Sequence, residues 1–188
     1  MVRMAIRPFS AMNMCYCTID DIYNLPEGQR AELIDGELYM MATPGRIHQR
    51  LVMELSFRIS DYIGSKNLDC EVYFSPFAVF LNGDDTVYLE PDISVICDKD
   101  KLIEEGCKGA PDWILEIVSP TSRQMDYNKK LFKYRTAGVR EYWIVDPMKQ
   151  QITVYNFEQD TFEEYSFSDK VQAGIYEDFE IDFAEIEL

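Results

Sequence analysis

Residues 113–118 constrain the fold more than any other segment of the chain. Five of these six residues are apolar, and a continuous apolar run of this length is typical of a strand buried on both faces of a sheet. A glutamate, Glu116, interrupts the run. Because an unpaired carboxylate is costly to bury, we expect Glu116 to be paired, protonated or bound to a metal ion.

A second acid stands in a similar position. Asp92 follows Pro91 and directly precedes the apolar residues 93–96. Neighbouring strands lie about 4.8 Å apart, so two carboxylates at matching levels could share one divalent cation. Oxygen ligands suit Mg2+ or Mn2+ better than Zn2+. A purely structural salt bridge with a lysine would explain one such acid, whereas the pair favours a metal site.

The segment that follows predicts a helix over residues 122–137. Asp126, Lys130 and Tyr134 are spaced four residues apart and therefore share one stripe. The apolar residues beside this stripe direct it toward the sheet, so Lys130 can reach Glu116. The simpler alternative is an ordinary ion pair within the helix, worth about 0.3–0.5 kcal/mol.

Two carboxylates and a lysine together suggest a reaction. A metal ion held by two carboxylates can activate water and neutralise the charge that develops on a phosphate. A nearby lysine can orient the water or stabilise the transition state. This combination indicates metal-dependent hydrolysis of a phosphodiester bond.

The remaining pattern predicts one α/β domain. A short helix is expected from Thr18 or Asp20, and Asp35-Gly36 between two apolar runs is a strong hairpin signal. Helical periodicity begins at Ile47 and ends at Gly64. Further strands are expected over residues 70–81, 87–97, 141–145 and 151–157. The sheet should mix parallel with antiparallel pairing and carry helices.

Length and charge set limits on the class of protein. The 188 residues fit a single domain over 18–188, preceded by a flexible extension over 1–17. The net charge of -16 argues against a protein that coats nucleic acid or a membrane with its whole surface. Residues 157–188 hold 11 acids and one base, so much of the negative charge lies in this C-terminal segment.

The basic residues cluster elsewhere. Residues 123–140 contain six bases and one acid, a local charge of +5, and Arg46, Arg50 and Arg58 form a second basic row. We therefore expect a local basic face that binds DNA weakly and in a salt-sensitive manner.

The cysteines and the single histidine, His48, do not form a zinc motif. None of the five cysteines belongs to a pair of CxxC motifs. Without a signal sequence, they are expected to be reduced, mostly buried thiols of a cytoplasmic protein. No apolar run approaches the ~20 residues of a membrane span, so membrane association is not expected.

A long pattern of residues carries a family resemblance over about residues 20–157. Its parts are 32–37, His48, 90–93, 109–112, 116–120, Asp126, 130–131, Tyr134 and 138–147. On these residues the chain resembles the PD-(D/E)XK nuclease superfamily, and more closely a bacterial restriction-endonuclease-like family abundant in cyanobacteria. The resemblance implies a mixed central β-sheet flanked by helices, with an N-terminal β-hairpin.

The resemblance also implies roles for the residues already singled out. Asp92 matches the aspartate of the PD motif, and Glu116 matches the acid of (D/E)XK. The lysine of that motif would stand two residues after the acid, where this chain has Val118, so Lys130 is the expected replacement. The backbone carbonyl of Ile117 is expected to bind the metal ion with the two carboxylates.

Further site residues follow from the N-terminal half. The superfamily often takes another acid from this region, and both Glu32 and Glu37 are candidates. His48 stands beside Arg46 in the first turn of a predicted helix, where it could meet a phosphate or pack against the hairpin. Arg123, the first base of the basic helix, is a third candidate for binding the substrate.

The first functional hypothesis is an endonuclease that hydrolyses DNA with Mg2+ or Mn2+ and acts, by analogy with restriction enzymes, as a homodimer. The alternative is a catalytically inactive nuclease-fold module for binding or assembly, which Val118 and the acidic net charge favour. A two-carboxylate glycosidase is a weaker third hypothesis, because the sequence lacks an aromatic-rich, multi-loop cleft for a sugar.

Overall fold

The computed structural model describes residues 16–82 and 86–188. Most of the predicted N-terminal extension, including Cys15, lies outside the described residues. Of that extension, residues 16 and 17 are described, and the backbone N–H of Cys17 donates a hydrogen bond to the Gly36 carbonyl at 2.9 Å. None of the helices in the described ranges combines the length and apolar character needed to cross a membrane.

The described residues form three α-helices, one π-helical segment, fourteen strands and two short 3-10 helices, at Lys99–Lys101 and Phe183–Glu185. The helices are α1 (Ile19–Tyr23), α2 (Arg46–Lys66) and α3 (Leu131–Ala137), with the π-helical segment at Met125–Lys130. The strands are β1 (Ala31–Ile34), β2 (Glu37–Met40), β3 (Glu71–Phe74), β4 (Ala78–Phe80), β5 (Val87–Leu89), β6 (Ile93–Ile96), β7 (Leu102–Ile103), β8 (Gly106–Lys108), β9 (Trp113–Ile117), β10 (Glu141–Asp146), β11 (Gln151–Asn156), β12 (Thr161–Ser166), β13 (Lys170–Gln172) and β14 (Glu180–Asp182).

Twelve of these strands build a central sheet and an outer sheet, and β13 and β14 form a separate two-stranded sheet. The central sheet has the order β12-β11-β10-β9-β6-β3, and the outer sheet has the order β2-β1-β5-β4-β8-β7. In the central sheet β9 and β10 are parallel, while the other neighbours are antiparallel. The predicted α/β fold, with a mixed central sheet, flanking helices and an N-terminal hairpin of β1 and β2, is confirmed.

Two segments predicted as continuous strands are each divided between the two sheets. The chain leaves β3 at Ser75-Pro76 and enters β4 of the outer sheet, and it leaves β5 at Glu90-Pro91 and enters β6 of the central sheet. Proline cannot donate a backbone hydrogen bond to a sheet, so each proline marks the point where the chain changes sheets. Helix α2 also runs past Gly64 and ends with Asn67 in the left-handed conformation that commonly caps a helix.

The central sheet is buried on both faces. The side chains of β9 alternate between these faces, and this alternation determines the direction of Glu116. Trp113, Leu115 and Ile117 belong to the core beneath α2, whereas Ile114 belongs to the core shared with α3 and the outer sheet. Because successive side chains of a strand point to opposite faces, Glu116 lies on the α3 side. Val118 belongs to the same core as Ile114 and is 2% exposed.

The acidic C-terminal segment contributes to the core beneath α2. Val171, Phe179, Ile181 and Phe183 are buried there, although the segment holds most of its charges at the surface. The segment therefore packs as part of the fold, and its acidity reflects the exposed positions between buried ones.

The expectation that all cysteines are reduced is wrong for Cys70 and Cys97, which form a disulfide. Strands β3 and β6 pair Glu71 with Ile96, so the two cysteines stand opposite each other at the end of the ladder. Their separation of 27 residues hides this proximity in the sequence. Cys107 is a buried free thiol, and Cys17 is a half-buried one.

Candidate active site

Asp92 and Glu116 are brought to matching levels by the pairing of β6 with β9. The register places Ile93 opposite Leu115, so Asp92, one residue earlier, is level with Glu116. The backbone N–H of Ile117 donates to Asp92 Oδ2 at 2.7 Å and fixes one carboxylate oxygen. Both carboxylates line the same pocket, which has a volume of about 550 Å³.

Lys130 lies between the carboxylates. Its Nζ atom is 2.9 Å from both Glu116 Oε1 and Glu32 Oε1, and 3.7 Å from Asp126 Oδ1. The Tyr134 hydroxyl donates a further hydrogen bond to Glu116 Oε1 at 2.7 Å. Glu116 and Val118 point to the same face of β9, and the π-helical segment places Lys130 against this face. A lysine from another element therefore reaches the Glu116 carboxylate.

The π-helical segment directs Asp126 and Lys130 inward together, and both are buried. Such segments occur often at functional sites. The turn before it is closed by two serines: Ser119 N–H donates to Ser122 Oγ at 3.0 Å, and Ser122 N–H donates to Ser119 Oγ at 3.1 Å. The expected helix therefore forms, but its first part is wound differently.

The site brings several acidic side chains around one lysine. Burial raises the pKa of Glu116 well above its usual value, and the neighbouring carboxylates add to this rise while Lys130 opposes it. Burial disfavours a charged Lys130, but Glu116, Glu32 and Asp126 outweigh burial and hold the pKa of Lys130 well above its usual range. The lysine is therefore charged, and its charge offsets only part of the rise that burial and the neighbouring acids cause in the pKa of Glu116.

His48 contacts Asp92 from the first turn of α2. Its Nε2 atom lies 3.1 Å from Asp92 Oδ2. Burial lowers the pKa of His48, but the hydrogen bond to Asp92 and the charge of that residue outweigh burial and leave the pKa raised. His48 and the backbone N–H of Ile117 thus contact the same oxygen of Asp92.

Arg30 is a pocket residue for which the sequence carried no signal. It lines the same pocket, its guanidinium Nε donates to Glu90 Oε2 at 2.8 Å, and its Nη2 donates to Ser75 Oγ at 2.6 Å. The backbone N–H of Glu90 in turn donates to Glu32 Oε1 at 3.1 Å. Arg30 and Glu90 lie 60 residues apart and meet only through the pairing of β1 with β5.

Three of the sequence candidates lie away from this cluster. Of the two alternative acids, Glu32 lines the pocket, whereas Glu37 is exposed and pairs with Lys129 at 3.2 Å. Arg123 pairs with the buried Asp146 at 2.8 Å and does not line the pocket. Arg46 is the exposed first residue of α2 and forms no ion pair within the described ranges.

The expected basic face is not formed by the helix residues that should supply it. Each of the six bases in residues 123–140 forms an ion pair with an acid, and most of these acids come from distant segments. The pairs include Arg123–Asp146, Lys129–Glu37, Lys130–Glu116, Lys133–Asp35, Arg135–Asp160 and Arg140–Glu158. The local charge of +5 is therefore neutralised by the fold.

The carboxylates suit an ion that keeps part of its water shell. In the described part of the chain, no three His, Cys, Asp or Glu side chains converge as a cage for a metal ion. Asp92 Oδ1 and Glu116 Oε2, however, accept no hydrogen bond from the described residues, since the contacts of both carboxylates involve their other oxygen. One or two carboxylates with several waters are the coordination that Mg2+ prefers.

The buried position of Asp126 should make the free energy of unfolding depend on pH. Burial raises its pKa from 3.8 to about 6, although Lys130 opposes the rise. An acid with a raised pKa stabilises the fold at low pH, and this contribution is lost as the pH rises through the folded pKa. As the pH rises from about 4 to about 7, the unsubstituted chain should lose roughly 2–3 kcal/mol of unfolding free energy relative to Asp126→Asn. Urea unfolding across this range measures the difference.

The exposed Asp61 of α2 supplies the matched control for this experiment. The stability difference between Asp61→Asn and the unsubstituted chain should stay constant with pH. A difference for Asp126→Asn that is equally constant would contradict the pKa assigned to Asp126.

Comparisons with known proteins identify the fold and the family of this chain. The chain is 26% identical over 130 residues to an uncharacterized protein of Synechocystis sp., covering 68% of this chain and 72% of that protein. The fold matches a crystal structure described as "a putative nuclease belonging to DUF820 from Anabaena variabilis", with a TM-score of 0.73 and 22% identity, over 90% of this chain and 96% of that one. The Uma2 family model, described as "Putative restriction endonuclease", matches residues 19–184, and the chain therefore belongs to this family.

Proposed function

We propose that this protein is a divalent-metal-dependent endonuclease that hydrolyses DNA phosphodiester bonds. The observation that carries the proposal is the pair of level carboxylates, Asp92 and Glu116, each with an oxygen free of described partners and both within reach of one pocket. A charged lysine, Lys130, contacts Glu116 directly. Family membership supports the same class of reaction.

Asp92, Glu116 and the carbonyl of Ile117 would hold the metal ion, with Mg2+ or Mn2+ as the expected ions. When bound, such an ion lowers the pKa of a coordinated water and neutralises charge on the phosphate. Glu32, Glu116 and Asp126 surround the single ammonium group of Lys130, and a bound divalent cation would favour the ionised forms of these acids.

Lys130 would act on the phosphate through its remaining hydrogen-bond donor. An ammonium group has three N–H donors, and two of those on Lys130 are directed at Glu116 and Glu32. A phosphate oxygen in the pocket can accept the third, where a fixed positive charge stabilises developing negative charge. Tyr134 holds Glu116 in place and keeps its proton, because burial raises the pKa of this hydroxyl well above its usual value.

Few basic side chains would be available to bind DNA. The side chain of Arg30 is 35% exposed within the pocket, and Glu90 fixes its orientation. Arg46 is exposed at the start of the helix that carries His48. Because the six bases of residues 123–140 are already paired with acids, the affinity for DNA should be weak, and binding should be strongest at low salt.

The contact between His48 and Asp92 predicts a moderate loss of activity when the histidine is removed. Partners that orient a metal-binding side chain typically contribute 10–100-fold to metal affinity or activity, so His48→Ala should lose about this much. Calorimetric titration with Mn2+ should show weaker binding together with the lower cleavage rate. Unchanged metal binding with a raised KM for DNA would instead favour a role for His48 in contacting phosphate.

Incubation of the purified chain with supercoiled plasmid tests the function. We expect nicking with Mg2+ or Mn2+ at low salt, loss of nicking with EDTA, and recovery when the metal is restored. The activity should follow the 22.0 kDa chain through successive columns, which excludes a contaminating nuclease. Metal-independent nicking, or none under any of these conditions, would contradict the proposal.

A catalytically inactive binding module is the second candidate. Val118 occupies the position of the motif lysine, and Lys130 is already engaged by two carboxylates. Calorimetry separates the two candidates, since an inactive module that has lost its site should give no heat of binding with Mg2+ or Mn2+.

A further inference from the structure

An apolar groove runs between α2 and β3, beside the candidate active site. Three of its large side chains are well exposed: Phe57 at 67%, Phe74 at 60% and Met53 at 52%. Val72 forms its floor, and the groove has a volume of about 710 Å³. Exposed apolar side chains clustered in this way mark a surface that another molecule covers.

Strand β3 adds unpaired backbone groups to this groove. It is an edge strand of the central sheet, and its one sheet neighbour in the described structure is β6. The N–H of Ser75 donates to Asp92 on the β6 side at 3.1 Å. Because backbone groups alternate in direction along an antiparallel strand, the N–H and C=O of Val72 and Phe74 point away from the sheet.

We propose that a second copy of this chain covers the groove, pairing its own β3 antiparallel to this one about a two-fold axis at Tyr73. In this register Val72 stands opposite Phe74 of the other copy, and Phe74 opposite the other Val72. The outward backbone groups of both residues then form four hydrogen bonds across the axis. The side chains of Val72 and Phe74 share one face, where they meet Met53 and Phe57 of both copies.

The charge distribution favours a second copy at this place. The chain carries -16, so two copies repel each other except where acids are sparse. The residues that line the groove include one base, Arg50, and no acid. The opposite edge of the central sheet, β12, exposes Glu163 and Glu164, which protects that edge from pairing. Pairing through β3 therefore closes as a dimer and does not continue into a filament.

This interface does not depend on the proposed nuclease activity. It adjoins the candidate active site, however, because Gln49 and Val52 line both the groove and the pocket. The two active sites of a dimer would thus lie on the same side of the shared sheet, near the axis.

Sedimentation and light scattering over roughly 1–100 µM protein test the proposal. We expect a dimer, and we expect Phe57→Glu and Phe74→Glu each to weaken it by at least about tenfold. Phe162→Glu is the matched control, because Phe162 is 65% exposed on the opposite edge strand and should leave the dimer intact. Circular dichroism establishes that each variant is folded. A monomer at all concentrations, or a dimer that only Phe162→Glu disrupts, would overturn the proposal.

A cysteine at the axis tests the register. Tyr73→Cys, in a chain with Cys15 and Cys17 replaced by serine, should form a disulfide-linked dimer on mild oxidation, because Tyr73 faces its own counterpart. Glu163→Cys in the same background should not. Efficient linkage through position 163, without linkage through position 73, would place the contact on the other edge and refute the assignment.

Discussion

Asp92→Asn should reduce metal-dependent nicking of DNA by roughly 10³-fold or more. The substitution removes the negative charge and replaces one carboxylate oxygen by an amide nitrogen, which cannot bind a cation. The remaining oxygen can still accept the hydrogen bond from Ile117, whose N–H lies 2.7 Å from Oδ2. The variant should therefore fold normally, so that lost activity reports on chemistry. Initial rates of plasmid nicking with Mn2+, together with thermal unfolding, give both quantities.

Asp100→Asn is the matched control for this substitution. Asp100 is exposed in the 3-10 turn before β7 and does not line the pocket. It should nick at the rate of the unsubstituted chain. Equal nicking by Asp92→Asn and Asp100→Asn would remove Asp92 from the site and leave the observed activity without its proposed metal ligand.

The positions of Asp92, Glu116 and Lys130 could be predicted because they depend on local periodicity. An acid within an apolar run and an acid directly after a proline mark strand positions where a carboxylate needs a partner. The four-residue spacing of Asp126, Lys130 and Tyr134 holds for the whole stripe, even though a π-helical segment replaces the first α-helical turns. Strand register then places the acids side by side.

Other features depend on contacts between distant segments, and the sequence carried no signal for them. Arg30 meets Glu90 only because β1 pairs with β5, and Cys70 meets Cys97 only because β3 pairs with β6. The same limit explains why the expected basic face is not formed. A count of charges over residues 123–140 omits the acids that the fold brings to them, such as Asp146, which pairs with Arg123.

Lys130→Met should destabilise the fold by about 3–5 kcal/mol near pH 8 and abolish nicking. Lys130 is 4% exposed and is the ammonium group that contacts Glu32, Glu116 and Asp126. Without it, these carboxylates lie close together in a buried site with no compensating lysine. The pKa values of Glu116 and Asp126, which Lys130 now lowers, should rise further. Protonation then stabilises the folded variant, so the deficit should shrink as the pH falls toward about 5. Urea unfolding at several pH values measures this recovery.

Lys129→Met is the matched control, because it removes an exposed lysine from the same segment and leaves the buried lysine in place. Lys129 is the neighbouring residue, but its side chain is 50% exposed and its ion pair is with the exposed Glu37. An exposed pair of this kind contributes about 0–1 kcal/mol, so this variant should remain stable and active.

The double variant Lys130→Met/Glu116→Gln should regain part of the stability, because it removes one uncompensated carboxylate, yet it should stay inactive. Recovery of nicking in the double variant, or a deficit in Lys130→Met that does not change with pH, would show that Lys130 does not act through the carboxylates. The expected result, in which part of the stability returns without activity, would mean that the chain keeps the buried pair of Lys130 and Glu116 for its chemistry at a cost in stability.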